Sequence, residues 1–450
     1  MTDPIRCALF TPISTHQAGN GLAHRARFWK EVLAQFGSVT TVLIPLAGVP
    51  MAADSHDADA MTVPLVEPIP MTRYLPLRAQ RAPEREGRRW ATDTHAPFDL
   101  VVVLRAYCAP FAFGAVAGTA ATVLVDVDDD DATFLADAGE LEEAEKYRSL
   151  LDEIASRADH MVSVTGFGAT TTVANSVAPS FPRPTDRVPG RRVVMVGNFG
   201  YAPNVDGARW FIDEVLPVAQ ALGPALDVVI AGPGSDVLVP YGVGFAPDLD
   251  ELYRSVDVVV VPLLSGSGSR IKAIEAFAAG VPVVGTTVGL SGLDIRPGVD
   301  CLVADDPSSF ASAMVRLLDD SGEAAAIAAN ATTRVVPMYS RAFVATAATQ
   351  LLRQCLADPA ARLIGRARGL ETTESSDGLA VTDTETTTVH HLNASAAAVF
   401  WLADGSITAA EMYTELAEIY GASAQLLAAV DAALAGRATA GLIVTRRRQN

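Results

Sequence analysis

Short apolar runs constrain this chain more than any other feature of it. Leu100 to Leu104 and Thr122 to Val127 are read as continuous apolar runs, the second interrupted only by Asp126, and are far too short to cross a membrane. As strands they must be buried on both faces, which belongs to parallel sheets covered by helices. The flanking pattern agrees. Ile5 to Phe10 is apolar, Gly19-Asn20-Gly21 is a turn, Leu22 to Phe36 has helical periodicity, and Val39 to Ile44 is strand-like again. That order is a β-loop-α-β unit of the nucleotide-binding kind. Residues 45–98, rich in Pro and Arg and weakly periodic, read mostly as connecting structure. A helix is expected over Glu140 to Ala158 and a short strand over Met161 to Val164.

Four prolines between Val177 and Pro189 mark a linker, after which the alternation restarts. Strands are expected at Arg192 to Val196, Leu226 to Ala231, Val256 to Val261 and Val281 to Gly285. The helices between them would be Asp206 to Leu222, Leu249 to Ser255 and Arg270 to Ala279. Ala-rich helices follow residue 307 and run to about Asp358. The expected fold class is therefore α/β, with two Rossmann-like lobes (1–185 and 190–358) and a cleft between them. A composition shift then introduces a small α+β domain at 370–450. Its strands would be Leu379–Thr382, Thr387–Leu392 and a last one, Leu442 to Val444. Its helices would begin near Asn393, at Thr408 with Glu411 three residues on as a capping box, and at Ser423.

Charge and cysteine usage narrow the function. Among 450 residues, 34 Lys and Arg face 52 Asp and Glu, a net charge of −18, which disfavours nucleic acid and anionic bilayers as partners. Cys7, Cys108, Cys301 and Cys355 have no metal-ligand spacing and fit reduced thiols. Met1 to Arg6 lacks the make-up of a signal peptide, and no apolar stretch suits an integral membrane segment. The expected compartment is the cytoplasm.

The chemistry concentrates between Leu263 and Gly292. Val258 to Pro262 delivers the chain into Gly266-Ser267-Gly268-Ser269, and a helix follows near Arg270. Small residues let a backbone approach a ligand, and successive N–H groups at a helix start attract anions. Arg270 and Lys272 place cations where the helix dipole favours acids, which points to a bound anion such as a diphosphate. Glu275, one turn on, is placed to accept two hydrogen bonds from a ribose diol. The plain alternative is a surface loop with a Lys272–Glu275 pair worth about 0.2–0.5 kcal/mol.

Asp126-Val127-Asp128 and the acids Asp129 to Asp131 have three readings: a hard-cation site, a strand-end acid contacting sugar hydroxyls, or a solvated loop. No metal is expected: Asp126-Val127-Asp128 resembles the DxD metal site of proteins with a single sheet domain, and two lobes are visible here. His16 and His24 lie near the glycine turn as base, acceptor contact or structural histidines. No serine-histidine-acid arrangement can be assembled by spacing.

The segment PLLSGSGSRIKAIEAFAAGVPVV (262–284) resembles the donor-site signature of family 4 glycosyltransferases of the GT-B fold. GNFGYAPNVDGARWF from Gly197 and VDVDDDD around Asp126 resemble the same family. The resemblance implies a hexosyltransferase-like enzyme, retaining and metal-independent, with a nucleotide-sugar as co-substrate and no other cofactor. The donor would bind the second lobe through Gly197, Asn198, Asn204, Gly266, Ser267, Gly268, Thr286, Thr287 and Gly289. Asp128, Arg270, Lys272 and Glu275 would be catalytic, and Gly19, Asn20, Gly21 and His24 would face the acceptor. The departing diphosphate would help take the nucleophile's proton. The sequence departs from the family where the first acid of Glu-x7-Glu falls on Ser267. Asn198 and Asn204 stand where many members carry Arg and Lys, and Asp128 where many carry His.

LAVTD from Leu379, VHHLNASAAAVFWLADG from Val389, ITAAEMYTELAEIYG and a final GLIV strand resemble PqqD-like domains, the recognition elements of ribosomal peptide biosynthesis. That implies a winged-helix domain taking a precursor or leader peptide as an added edge strand. From Glu371 to Asn450 ten acidic residues oppose four basic ones, which disfavours DNA. The expected function is sugar transfer from a nucleotide-sugar to a peptide recruited by this domain. The alternatives are polysaccharide or glycolipid synthesis with a regulatory third domain, and a non-catalytic peptide chaperone with a degenerate transferase body.

Overall fold

The computed structural model describes residues 5–16, 21–45, 60–63, 77–94, 98–119, 121–137, 139–168, 170–177, 190–266, 268, 270–357, 362–367, 369–375, 378–384, 386–420 and 424–447. They form two compact units, 1–172 together with 348–450, and 173–347.

The first unit opens with β1 (Ile5–Thr11), α1 (Gly21–Leu33), β2 (Gly37–Leu43), β3 (Ala60–Thr62), α2 (Leu77–Thr94) and β4 (Leu100–Leu104). It continues with α3 (Ala109–Ala115), β5 (Thr122–Asp128), α4 (Asp131–Asp137), α5 (Leu141–Arg157), β6 (His160–Ser163) and β7 (Thr171–Thr172). All pairings are parallel, in the order β3-β2-β1-β4-β5-β6-β7. Both faces of the central strands are buried. Phe10, Val101, Val103, Val123 and Val125 join one core, and the alternate residues Leu9, Val102 and Leu124 are fully buried as well.

Residues 45–98 hold more regular structure than their sequence predicts. Helix α2 has no broad apolar stripe; close approach and charge pairing hold it in place. A Cβ on Gly87 would lie 2.0 Å from Phe111 O, and one on Gly114 would lie 2.0 Å from Glu84 O, so α2 and α3 touch backbone to backbone. Glu84 takes two hydrogen bonds from Arg157 of α5, both 3.0 Å, and one of 2.9 Å from Arg88. Burial works against the Glu84 charge, but the two arginines outweigh it and hold its pKa below the ordinary value.

The second unit contains β8 (Arg192–Val196), α6 (Ala202–Trp210), α7 (Leu216–Leu222), β9 (Asp227–Ala231), β10 (Gly242–Gly244), α8 (Leu249–Ser255) and β11 (Val258–Val261). Then come α9 (Ile271–Ala278), β12 (Val283–Gly285), β13 (Leu302–Val303), α10 (Pro307–Asp319), α11 (Ser321–Asn330) and α12 (Arg341–Ala357), the last of which runs on into the first unit. The parallel order is β10-β9-β8-β11-β12-β13. Val193, Met195, Val258 and Val260 face one core, while Val194, Val196, Val259 and Val261 face the other. The single helix expected over 206–222 is instead α6 and α7 joined by a π-helical turn, Phe211–Val215. Pro217 has no N–H to give and its ring crowds the preceding turn, which the wider turn relieves.

The chain returns to the first unit with β14 (Arg362–Arg366), β15 (Leu370–Ser375), β16 (Gly378–Asp383), β17 (Val389–Asn393) and α13 (Ala394–Leu402). Strand β18 (Asp404–Thr408), α14 (Ala409–Tyr420), α15 (Ala424–Thr439) and β19 (Ile443–Arg447) complete it. Two antiparallel three-stranded sheets form, β15-β16-β17 and β18-β14-β19. The three helices begin where expected, and Asn393 caps α13 by accepting from Ala396 N at 2.9 Å. Strands β14, β15 and β18 were not foreseen. They are short and polar or glycine-containing, and pairing across the sheet stabilises them where an apolar pattern does not.

The capping box of α14 closes in both directions. Glu411 N donates to Thr408 Oγ1 at 3.2 Å, and Thr408 N donates to Glu411 Oε2 at 2.7 Å. Thr408→Ala is expected to destabilise the first unit by about 1 kcal/mol, read from its urea unfolding midpoint at unchanged slope.

Candidate functional site

In the second unit the strand order reverses between β8 and β11, and in open parallel sheets ligands bind beyond the carboxyl ends of strands at such a reversal. The predicted donor residues lie on the loops and the helix starts at that point. After β8 come Gly197, Asn198 and Asn204; after β11, Gly266, Gly268 and the start of α9; after β12, Thr286, Thr287 and Gly289. Ser267 lies outside the described residues.

Hydrogen bonds tie these loops together. Lys272 Nζ donates to Asn204 Oδ1 at 2.6 Å, and Asn204 Nδ2 donates to Asn198 O at 2.8 Å. The asparagines thus link the β8 loop to the first turn of α9. Asn204 is buried, while Lys272 is half-buried beside it. Burial, reinforced by Arg270, brings the Lys272 ammonium down to about 8. Glu275 accepts from Tyr253 OH, an α8 residue, at 3.2 Å. Burial raises its carboxyl to about 7, against the opposing effect of the tyrosine.

Arg270 works chiefly inside the protein. At a left-handed φ of 51° it turns back, with Nη2 donating to Gly266 O at 2.6 Å and Ser291 Oγ at 3.0 Å, and Nε to Val288 O at 3.0 Å. It clasps the β11 loop to the β12 loop, with Nη1 lying beside Gly268. Thr286 adds a second tie, donating to Leu263 O at 2.5 Å and accepting from Gly289 N at 2.8 Å. Thr287 binds Asp305 through both its N–H and its hydroxyl, each 2.7 Å. A Cβ on Gly289 would lie 2.2 Å from Val261 O, so only glycine allows that approach.

In the first unit Asp128 ends β5 at a φ of 65°, and Gly21 and His24 open α1. Gly19 and Asn20 lie outside the described residues. Around Asp128 is a charge cluster the sequence did not reveal. Arg25 Nε and Nη2 donate to the two oxygens of Asp126 at 2.5 and 3.0 Å, and Trp29 Nε1 adds a third bond at 2.5 Å. Asp126 is fully buried and Arg25 is 1% exposed. Arg105, at a φ of 77°, donates to Asp128 at 3.0 Å and to Asp131 at 2.7 Å. Burial opposes the Arg25 charge, but Asp126 and Asp128 more than reverse that and raise its pKa. Asp129 is pushed up to about 7, by burial first and then by Asp128. The one available signal was Arg25 four residues before Trp29, a charge on an otherwise apolar helix face. Among the described residues no group of His, Cys, Asp and Glu is arranged to hold a metal ion. Among them too, no helix is long and apolar enough to cross a membrane.

Comparison with known proteins bears on both regions. Residues 190–320 match the family Glycosyl transferases group 1, and residues 378–443 match Coenzyme PQQ synthesis protein D (PqqD). A D-inositol 3-phosphate glycosyltransferase of Rhodococcus jostii is 35% identical over 122 residues, 26% of this chain and 24% of that protein. The chain thus matches about a quarter of that relative's length. Sucrose-phosphate synthase from Thermosynechococcus elongatus has the same fold, with a TM-score of 0.60 at 19% identity over 78% of this chain and 99% of that one. HepE of Anabaena, solved with UDP and glucose, gives a TM-score of 0.57 at 14% identity over 77% and 99%. The two parallel sheets are the lobes of a GT-B fold.

Breaking the buried pair in the first unit tests its weight. Arg25→Met strands the Asp126 carboxylate without its cation and is expected to cost about 3–5 kcal/mol in urea unfolding. The double variant Arg25→Met/Asp126→Leu removes both charges and should recover most of that loss.

Proposed function

We propose that this chain, which joins a group 1 glycosyltransferase domain to a PqqD domain, transfers a sugar from a nucleotide-sugar to a ribosomally made peptide. The observation that carries the reading is the meeting of Lys272, Asn204 and Glu275 beside the Gly266–Gly268 loop at the strand reversal of the second sheet. A cation, small residues at a helix start and a half-buried acid within one helical turn suit a nucleoside diphosphate.

In this reading Lys272 and the backbone near Gly268 hold the diphosphate, and Glu275 accepts hydrogen bonds from the ribose. Arg270 keeps the two loops at the spacing the diphosphate needs. The anomeric carbon–oxygen bond to the diphosphate breaks as the acceptor oxygen bonds to the same carbon. The acceptor's proton passes to the departing phosphate, and the configuration is retained. Oriented donors and a cation stabilise the charge that develops on the leaving group without a metal. Asp128, paired with Arg25 and Arg105, Gly21 and His24 face the sugar and acceptor. The PqqD domain recruits the peptide by adding it as an edge strand.

Donor binding tests this directly. Calorimetry with UDP-, GDP- and TDP-sugars is expected to find one saturable donor class, weakened about ten- to a hundredfold in Glu275→Ala, or roughly 1.5–3 kcal/mol. A folded protein that binds none of them would be a peptide-binding scaffold and not a transferase.

The pH dependence has a definite sign. The ammonium of Lys272 is present below about 8 and the carboxylate of Glu275 above about 7, so affinity should peak between those values and fall on either side. Glu275→Gln should flatten the acidic limb and leave the alkaline one, read from the same titrations at pH 6 to 9.5.

A further inference from the structure

The PqqD region does not stand apart from the first lobe. Its strand β19 lies beside α5, and Ala117 of the first lobe packs against its apolar core. The seam encloses a cavity of about 30 Å³ between Glu84, Phe113 and Arg157 on one side and Ala438, Ile443 and Val444 on the other. The guanidinium of Arg157 lies 4.4 Å from the Phe113 ring centroid while it holds Glu84, so the charged group at the seam is fully engaged.

Two glycines make the approach possible. Gly118, at a φ of 75°, sits so close to α15 that a Cβ would lie 3.1 Å from Ala435 Cα. On the opposite side Gly441, also at 75°, faces Arg88, where a Cβ would lie 2.6 Å from Nη2. Both turns need glycine for their left-handed backbone, and at each the neighbour across the seam lies close. The contact at Gly118 is the stiffer of the two, because it meets backbone and not the end of a flexible side chain.

We infer that the PqqD domain is a fixed part of the first lobe, seated at the amino end of its parallel sheet. The 116–119 turn precedes β5 in the chain, and Val123, at the start of that strand, also lines the seam. Asp128 lies at the other end of the same strand, five residues on, or roughly 16 Å at about 3.3 Å per residue. Resting on the proposed function, this placement sets a length requirement on the substrate. A peptide docked on the domain must cross from the amino end of this lobe's sheet to the carboxyl end that carries Asp128, so a stretch of chain has to separate the docked segment from the modified residue.

The seam can be tested on the intact chain with no peptide or donor present, so its outcome is independent of whether the transferase reading holds. Hydrogen exchange should be slow at Ala117 and at Ala438 to Val444 in the wild type. Gly118→Val should speed exchange at 438–444 by at least about tenfold while leaving the β16–β17 pairing unchanged. Should that variant fail to fold, Ala435→Glu carries the test from the other side, with faster exchange expected at 115–119. A second measurement inserts a protease site between Asp358 and Pro359, and the cleaved fragments are expected to co-elute in gel filtration. Exchange that does not respond across the seam, or cleavage that releases two separate folded fragments, would overturn the inference.

Discussion

A carboxylate sealed from water must be met by a cation equally sealed, and the first lobe is arranged around one such demand. Asp126 sits at 0% exposure near the end of β5, and three donors from one face of α1 converge on it. Burying an ion costs several kcal/mol, which only close, well-directed partners offset. The result is a lock between α1 and β5. Its effect reaches Asp128, whose own N–H donates to Asp126 Oδ1 at 2.9 Å and whose left-handed backbone turns the chain out of the sheet. Arg105 then spans Asp128 and Asp131, tying the end of β4 to the start of α4. The Arg25–Asp126 pair thus fixes α1 against the end of β5, while Arg105 and Val164 N, donating to Asp128 O at 2.9 Å, hold the turn at Asp128 from the other side.

The second unit solves its positioning problem mostly with uncharged partners. Carbonyl oxygens of Gly266 and Val288 take the Arg270 guanidinium, and Thr286 and Thr287 bind a carbonyl and an aspartate. That leaves Lys272 and Glu275 as half-buried groups whose ordinary pKa values have moved toward each other, to about 8 and about 7. Groups displaced in this way are held at some cost in desolvation, which the diphosphate and ribose of the proposed donor would relieve. Arg270, which charge alone would assign to the diphosphate, shows how a cation at a helix start can instead be a strut between loops.

How much of this was legible follows from the range of each interaction. Strands buried on both faces write themselves as apolar runs, so Leu100–Leu104 and Arg192–Val196 were read with the boundaries they have. The capping box at Thr408 and Glu411 is local and was equally plain. Helix α2 was missed because Gly87 and Glu84 hold it through partners at 111 and 157, a pairing no local pattern encodes. Arg25 and Asp126 are separated by 101 residues, and Arg105 and Asp131 by 26. The Asn204–Lys272 bond adds a point the motif comparison hid. The position where many family 4 enzymes carry a cation is here an amide, and its Oδ1 accepts from the remaining lysine. The departure from the family pattern therefore leaves the charge of the site resting on Lys272.

Sequence distance and spatial distance part most widely in the first unit. Residues 378–443, the PqqD match, follow the entire second lobe in the chain, yet they share a core and a seam with residues 84–157. A recognition module on a flexible tether raises the local concentration of its cargo to the millimolar range and leaves orientation to chance. A module fixed at one end of a sheet whose other end carries Asp128 does something different. On the proposed function, it would convert the length of the bound peptide into the choice of which residue arrives at the acceptor face, so that selection among chemically similar side chains would come from position along the peptide. On that same reading, variation around the modified residue would be tolerated provided the spacing is kept.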